Sequence, residues 1–316
     1  MKKWMTLGAC CMILAFSTAA WALTFVNIGT GGVGGTYFPL GGSMAEVLTK
    51  ADIGVKATAQ TTAASKENCR LLAKGKAELG MSMGSTLYQA YTGTGAFEED
   101  GKLPLQILFN MYPAPQHLVT VEGSGINSFE DIKGKRVSLG AAGGGDQVLT
   151  RMILDAAGID PDADLDAAQL TQPEAVMALK DGNIDAAFFN FAAPGAAVME
   201  IAAVRDIKLI SLPEDLVAKV VEKNPFLMPY TIKAGTYSSF TEDCHIIADG
   251  NYMVVNSNMK EDLAYNLVKT LLENRENFME VTEQAKHFVP EEASRGIIPF
   301  HPGAVKYFTE QGVTMQ

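Results

Sequence analysis

The sequence predicts an α/β fold made of two lobes of similar plan. Two observations carry this: strands and helices alternate along the chain, and a glycine-rich turn between a strand and a helix occurs twice, at residues 29–35 (GTGGVGG) and 140–145 (GAAGGG). At 316 residues, 47% hydrophobic and 19% charged, the chain can bury two cores and is not disordered.

The first residues stand apart. Lys2 and Lys3 precede an apolar stretch at 4–16, and Ala20-Trp21-Ala22 fits a cleavage site, so residues 1–22 read as a signal peptide cut after Ala22. The run is short for a bilayer span, which needs roughly 20 residues. Residues 7–10 (LGAC) resemble a lipoprotein box, but too little apolar sequence precedes Cys10 for that route. No later segment is long and apolar enough to cross a membrane, so a soluble mature protein is expected. Its formal charge would be −13 once Lys2 and Lys3 are removed. Such acidity disfavours nucleic acid and anionic lipid as partners. Cys69 and Cys244 would remain. An oxidising compartment permits a bridge between them, whereas the helical pattern around Cys69 favours a buried thiol; the sequence leaves both open.

Taken in order, a strand at 24–28 enters the first turn and a helix follows at 39–50, with Pro39 tolerated in its first turn. A strand at 55–59, a helix at 64–74 stopped by Gly75 and a strand at 79–83 complete the unit. The same order returns with a strand at 136–139, the second turn, a helix at 146–157 ending at Gly158, a helix at 174–180 stopped by Gly182, and a strand at 186–190. The texts LAKGKAE (72–78) and LKDGNID (179–185) also correspond. Each turn thus falls at the carboxyl end of a strand, where open α/β sheets bind ligands. A strand at 107–111, running into Tyr112-Pro113-Ala114-Pro115, and the apolar run 252–255 are the expected crossings between lobes. A long helical tail follows, with Leu263, Leu267, Leu271 and Phe278 as its core-facing stripe.

The first turn fits the G-x-G-x-x-G spacing of a dinucleotide site. That site wants a carboxylate at the end of the second strand, and Gln60 stands there instead. What survives is a set of backbone N–H groups converging at a helix N-terminus, suited to a carboxylate or a phosphate. A plain tight turn is the structural alternative. Residues 80–84 (GMSMG) match the nucleophile elbow G-x-S-x-G, with Ser82 as nucleophile, but none of the four His has local support as its base. Neither His nor Cys shows metal-ligand spacing. Neither a cofactor, a metal nor an enzymatic activity is expected.

Beyond these local readings, seven segments resemble TAXI-type solute receptors of TRAP transporters. They begin at Gly29 (GTGGVGGTYFPLGG), Ala64 (ASKENCRLLAKGKAELG), Met111 (MYPAPQHLV), Asp131 (DIKGKRVSLG), Asp181 (DGNIDAAFFN), Pro229 (PYTIKAGTY) and Ile298 (IPFHPGAVKYF), in order along nearly the whole mature chain. The resemblance implies a two-lobed periplasmic binding protein of the Venus flytrap (type II) kind, with a central cleft and a two-strand hinge. The lobes would be 23–113 with 247–316, and 114–246. It also implies a monomer that delivers a small anionic or zwitterionic ligand, such as a glutamate-like amino acid, to a TRAP-type permease. A periplasmic sensor module is the alternative.

Matched to the family's motifs, ligand contacts would come from Thr30, Gly31, Gly32 and Tyr37, from Ser65 and Asn68, and from Met83 and Ser85 in the first lobe. The second lobe would offer Gly143, Gly144, Gly145 and Asp146, with Phe188, Phe189 and Asn190. Tyr37 has the alternative of packing its ring and Ser65 of capping its helix. Phe188 and Phe189 cannot share one face of a strand. Met83 and Asp146 depart from the family's pattern, in which Gln and a hydroxyl residue are common. Asp146 either caps its helix or faces the cleft and holds an ammonium, which would favour an amino acid over a plain dicarboxylate.

Overall fold

The computed structural model describes residues 23–33, 35–142, 144–238 and 240–315. The expected signal peptide, its cleavage point at Ala22 and Cys10 lie outside the described residues, as do Gly34 and Gly143.

The first lobe opens with β1 (Thr24–Gly29), α1 (Tyr37–Lys50), β2 (Val55–Gln60), α2 (Ser65–Ala73), β3 (Leu79–Met83) and α3 (Gly84–Thr92). β1 pairs in parallel with β2 on one side and β3 on the other. In α1, Leu40, Met44 and Leu48 are fully buried, one turn apart, so the helix lies on the sheet along one stripe. It begins at Tyr37, two residues before the expected start, because Pro39 still falls within the first turn, where no intrahelical N–H bond is due.

β4 (Leu105–Val121) then crosses to the second lobe. This corrects the expectation of a short strand at 107–111. The prolines do not end it, because β7 pairs with β4 only from Gln116 onward. The edge beside Pro113 and Pro115 therefore carries no ladder for their missing N–H groups to break.

The second lobe contains β5 (Arg136–Ser138), α4 (Gly145–Ala157), α5 (Pro161–Asp164), β6 (Asp166–Ala168), α6 (Gln172–Asp181), β7 (Ala186–Asn190), α7 (Ala196–Ala202), β8 (Ile207–Leu209), α8 (Glu214–Lys223) and β9 (Leu227–Ile232). Thr171 and Glu174 form a capping box that starts α6 at Gln172, ahead of the expected Glu174. Gly158 and Gly182 end α4 and α6 in the left-handed conformation, φ 69° and 74°, which glycine adopts without strain.

β10 (Cys244–Asn256) returns to the first lobe, antiparallel to β4 along most of its length. Its first half pairs with β9 and its second half with β3, so this one strand belongs to both lobes. The strand order is β2-β1-β3-β10-β4-β7-β5-β6, with β8 on β4 and β9 on β10.

The tail is not one long helix but α9 (Glu261–Glu273), α10 (Arg275–Met279), α11 (Pro290–Ala293) and α12 (Pro302–Glu310). The break after α9 comes at Asn274, whose side chain turns back to donate to the Thr270 carbonyl. Leu267, Leu271 and Phe278 of the expected stripe are fully buried, and Leu263 is half-buried beside them. α12 lies so close on α9 that a Cβ at Gly303 would stand 2.4 Å from the Glu261 carbonyl oxygen and 2.6 Å from the Tyr265 nitrogen. Backbone cannot yield as a side chain can. Gly303→Val is therefore expected to cost about 1–3 kcal/mol of stability by overpacking, read as a lowered urea midpoint at unchanged m-value.

Buried side chains form two cores. Val26, Leu40, Phe109, Met253, Leu267 and Phe308 belong to the first, and Leu118, Ile153, Leu179, Phe188, Val220 and Ile246 to the second. Cys69 lies in the first and Cys244 in the second, each a free thiol. Burial pushes their pKa values up, to about 12 and about 11. Among the described residues, no helix is long and apolar enough to cross a membrane.

Candidate functional site

Between the lobes, where β4 and β10 cross, lies a cleft of about 480 Å³. The carboxyl ends of β1 and β3 and the N-terminus of α1 face it from the first lobe. The second turn, the end of β7 and the loop after it face it from the second.

Nine of the sequence-predicted residues line this cleft: Gly31, Gly32, Tyr37, Ser65, Met83, Gly144, Gly145, Asp146 and Asn190. Five others stand beneath its wall, which corrects the expectation that their side chains point into it. Thr30 is fully buried and its hydroxyl donates to the Gln60 carbonyl at 2.7 Å. Asn68 donates to the carbonyls of Thr30 at 2.7 Å and Met81 at 2.8 Å, while its Oδ1 accepts from Thr62. It thereby ties the end of β1 to β3 and holds the first turn in shape. Ser85 is bound to Asp249 through both its N–H and its hydroxyl. Phe188 and Phe189 both pack within the second core, because each face of β7 is covered there. Gly143 lies outside the described residues.

The first-lobe wall is organised by one hydrogen-bonded chain. Ser65 Oγ accepts from the Met83 N–H at 3.1 Å and donates to the Tyr37 hydroxyl. Tyr37 donates to Asn251 Oδ1, and Asn251 Nδ2 donates to the Tyr112 carbonyl at 3.3 Å. Burial, with the nearby Tyr112 and Asp249 adding to it, holds the Tyr37 pKa well above that of a free phenol, so Tyr37 remains a proton donor. Chain-distant residues from α1, α2, β3, β4 and β10 thus meet at one wall.

A second network supports the opposite wall. His117, fully buried on β4, contacts the Pro115 carbonyl through Nδ1 at 3.0 Å and the Tyr237 hydroxyl through Nε2 at 2.9 Å. Burial lowers its pKa to about 4, so the ring is neutral at ordinary pH. A carbonyl can only accept, which puts the single ring proton on Nδ1 and leaves Nε2 to accept from Tyr237. The same Tyr237 oxygen accepts the Gly195 N–H at 2.8 Å. This fixes the loop at 191–195, whose Phe191, Ala192, Pro194 and Gly195 line the cleft. Gln284, from the tail, donates to Ala193 in that loop and joins it to the first lobe.

Among the described residues, the lining carries one cationic side chain, Lys66 on the first lobe, and one anionic side chain, Asp146 on the second. The Asp146 pKa is raised, chiefly by burial; N–H groups of Gln147 and Ala141 bonded to its carboxylate partly offset this. Further lining residues were not legible in sequence: Tyr112, Asn251, Gln172, Thr282, Gln284 and the loop after β7. Tyr112 and Lys66 lie within the family-like segments at Met111 and Ala64 without being singled out there, and Asn251, Gln172, Thr282 and Gln284 belong to none of the quoted segments; the packing of distant segments brings them here. Ser82 is buried, its hydroxyl donating to the Met83 carbonyl at 3.0 Å, a placement opposed to nucleophilic attack on a substrate in the cleft. Among the described residues, no His, Cys, Asp and Glu group could hold a metal ion.

Two lobes joined by a two-strand crossing, with a cleft between them, make up a fold that known periplasmic solute-binding protein structures share. The chain is similar to the periplasmic aliphatic sulphonate binding protein of Escherichia coli, with a TM-score of 0.53, 15% identity, and 91% of this chain and 83% of that one covered. It is also similar to a periplasmic sulfonate-binding protein of Methylobacillus flagellatus, with a TM-score of 0.50, 17% identity, and 92% and 78% covered. A third similar structure is the ligand-binding component of an ABC-type import system of Staphylococcus aureus, with a TM-score of 0.50, 9% identity, and 84% and 79% covered. A model of the NMT1-like family matches residues 28–312, and the chain belongs to that family.

Proposed function

We propose that this chain is an extracytoplasmic solute receptor that binds a small carboxylate or amino acid, glutamate-like in size and charge. It releases that ligand to a TRAP-type secondary transporter. The observation that carries the reading is the disposition of charge in the cleft. Lys66 and the N-terminus of α1 stand on one wall and Asp146 on the other, a complement to an anionic group at one end of a ligand and an ammonium at the other. The lobes are residues 23–113 with 247–316, and 114–246. They close about β4 and β10, burying the ligand without any covalent step. Residues 1–22 serve as the signal peptide, cleaved after Ala22, and direct the protein to the periplasm, where it works as a monomer.

The TRAP partner rests on the sequence resemblance along the mature chain; the structural neighbours are named for sulfonate binding and ABC-type import. Two measurements test the reading. Thermal shift and calorimetry on the mature protein are expected to show binding by glutamate or glutamine. Saturation at about 100 times Kd would stabilise it by roughly 2.7 kcal/mol. An alkanesulfonate that binds while every amino acid fails would overturn the ligand class. Uptake into proteoliposomes holding the cognate permease is expected to collapse with an ionophore and to persist without ATP; strict ATP dependence would overturn the TRAP assignment.

A further inference from the structure

The two glycine-rich turns share a plan but differ in what occupies their donors. At the first turn, α1 has no acidic residue in its opening turn and no side-chain cap, and Gly31, Gly32, Thr36 and Tyr37 stand on the cleft. At the second turn, α4 carries Asp146 in its first turn. The Asp146 carboxylate is folded back over the glycines: a Cβ at Gly140 would stand 2.5 Å from Oδ2, and a Cβ at Gly144 would stand 2.4 Å from Oδ1. The same carboxylate accepts the Gln147 N–H at 2.9 Å and that of Ala141. The glycines at 140 and 144 therefore make room for an anion, and the protein supplies that anion itself.

We infer that Asp146 is a built-in occupant of the second turn, closing it to any negative group of a ligand and leaving the first turn as the anion site. The inference deepens the receptor reading and rests on it for the identity of the ligand. It assigns the specificity of the cleft to one residue. A ligand is accepted with an anionic end on the first lobe, and its second-lobe end must be neutral, cationic or zwitterionic, so glutamate would set its γ-carboxylate on the first lobe and its ammonium toward Asp146. A dicarboxylate of the same length without an ammonium would place its second charge against Asp146 with nothing to offset it and is rejected.

The vacated turn can be probed with sulfate, independently of the ligand. In Asp146→Ala, titration with sulfate is expected to shift the backbone amide resonances of Ala141 and Gln147 saturably. The wild type and Asp146→Asn, in which a side chain still fills the space, should show no such shift. A folded Asp146→Ala protein whose amides ignore sulfate overturns the inference, whatever ligand the cleft binds; Asp146→Ser serves if the alanine variant does not fold. Calorimetry then reads specificity with glutamine and 2-oxoglutarate, equal in carbon number but with one and two carboxylates. The ratio of their affinities is expected to move at least tenfold toward 2-oxoglutarate in Asp146→Ala. A wild type that prefers 2-oxoglutarate, or a ratio unmoved by the substitution, also overturns it. A sulfate response without binding of any solute by the wild type supports the occupied turn and overturns the receptor reading alone.

Discussion

Asp249→Asn is expected to abolish a pH-dependent loss of stability that the wild type undergoes between about pH 4 and pH 7. Asp249 is fully buried on β10, where that strand passes between the lobes. Its carboxylate accepts the Ser85 N–H at 2.9 Å and the Ser85 hydroxyl at 2.6 Å, together with the N–H groups of Gly84 and Gly250. It thereby caps α3 from a different part of the chain. A Cβ at Gly84 would stand 2.5 Å from Oδ1, so the helix start is shaped around this group. Burial outweighs the hydrogen bonds and raises the pKa from 3.8 to about 7. The sign follows from proton counting. Between these values the folded protein holds a proton that the unfolded chain has released, so stability falls as pH rises and levels off above about 7. At about 1.4 kcal/mol per pH unit the full effect is on the order of 4 kcal/mol. Asparagine keeps the shape and does not titrate. Urea unfolding of both proteins at pH 4.5, 6 and 8 should therefore show the variant gaining on the wild type as pH rises. A difference that stays constant across the series would refute the assignment. Carboxylates held down by cations, such as Asp185 beside Arg136, act in the opposite direction and cancel in this comparison.

Tyr237→Phe is expected to lower stability by roughly 2–5 kcal/mol and to weaken ligand binding. The hydroxyl donates to His117 Nε2 and accepts the Gly195 N–H, and all three residues are buried. Its removal leaves an acceptor and a donor without partners, each costing about 1–3 kcal/mol. Phenylalanine retains the ring and its edge contacts with His117 and Phe240, so little apolar packing is lost. Gly195 and its neighbours form part of the cleft wall, so the same change should loosen the loop and reduce affinity about tenfold while closure itself persists. Denaturant unfolding checks the first effect and calorimetry the second. A stability change within about 0.5 kcal/mol would show that the network carries no weight.

Much of the local structure was legible because its causes are local. Gly158 and Gly182 end their helices through a left-handed backbone that glycine takes without strain. Strands rich in Val, Ile and Ala lie between turn residues, whereas the capping box of Thr171 and Glu174, which starts α6 at Gln172, went unread. The repeated glycine turn likewise marked where a cleft would form. The reach of β4 past Pro113 and Pro115 was not legible, because it depends on which edge of the strand is paired at that point. Nor was the breaking of the tail at Asn274.

The sequence by itself determined the α/β plan and the two turns, since glycine spacing and strand ends are properties of short segments, and its resemblance to the TAXI receptors pointed to nine of the residues that line the cleft. Tertiary structure decided the rest. It placed Thr30, Asn68 and Ser85 behind the wall as supports, brought Tyr112, Asn251 and Gln284 to its face, and set Cys69 and Cys244 in different cores. It also folded the Asp146 carboxylate back over Gly140 and Gly144. The physical reason is the same in each case. Whether a polar side chain faces a ligand or satisfies the backbone beside it depends on which unpaired groups distant segments bring within hydrogen-bonding reach, and spacing along the chain does not encode that distance.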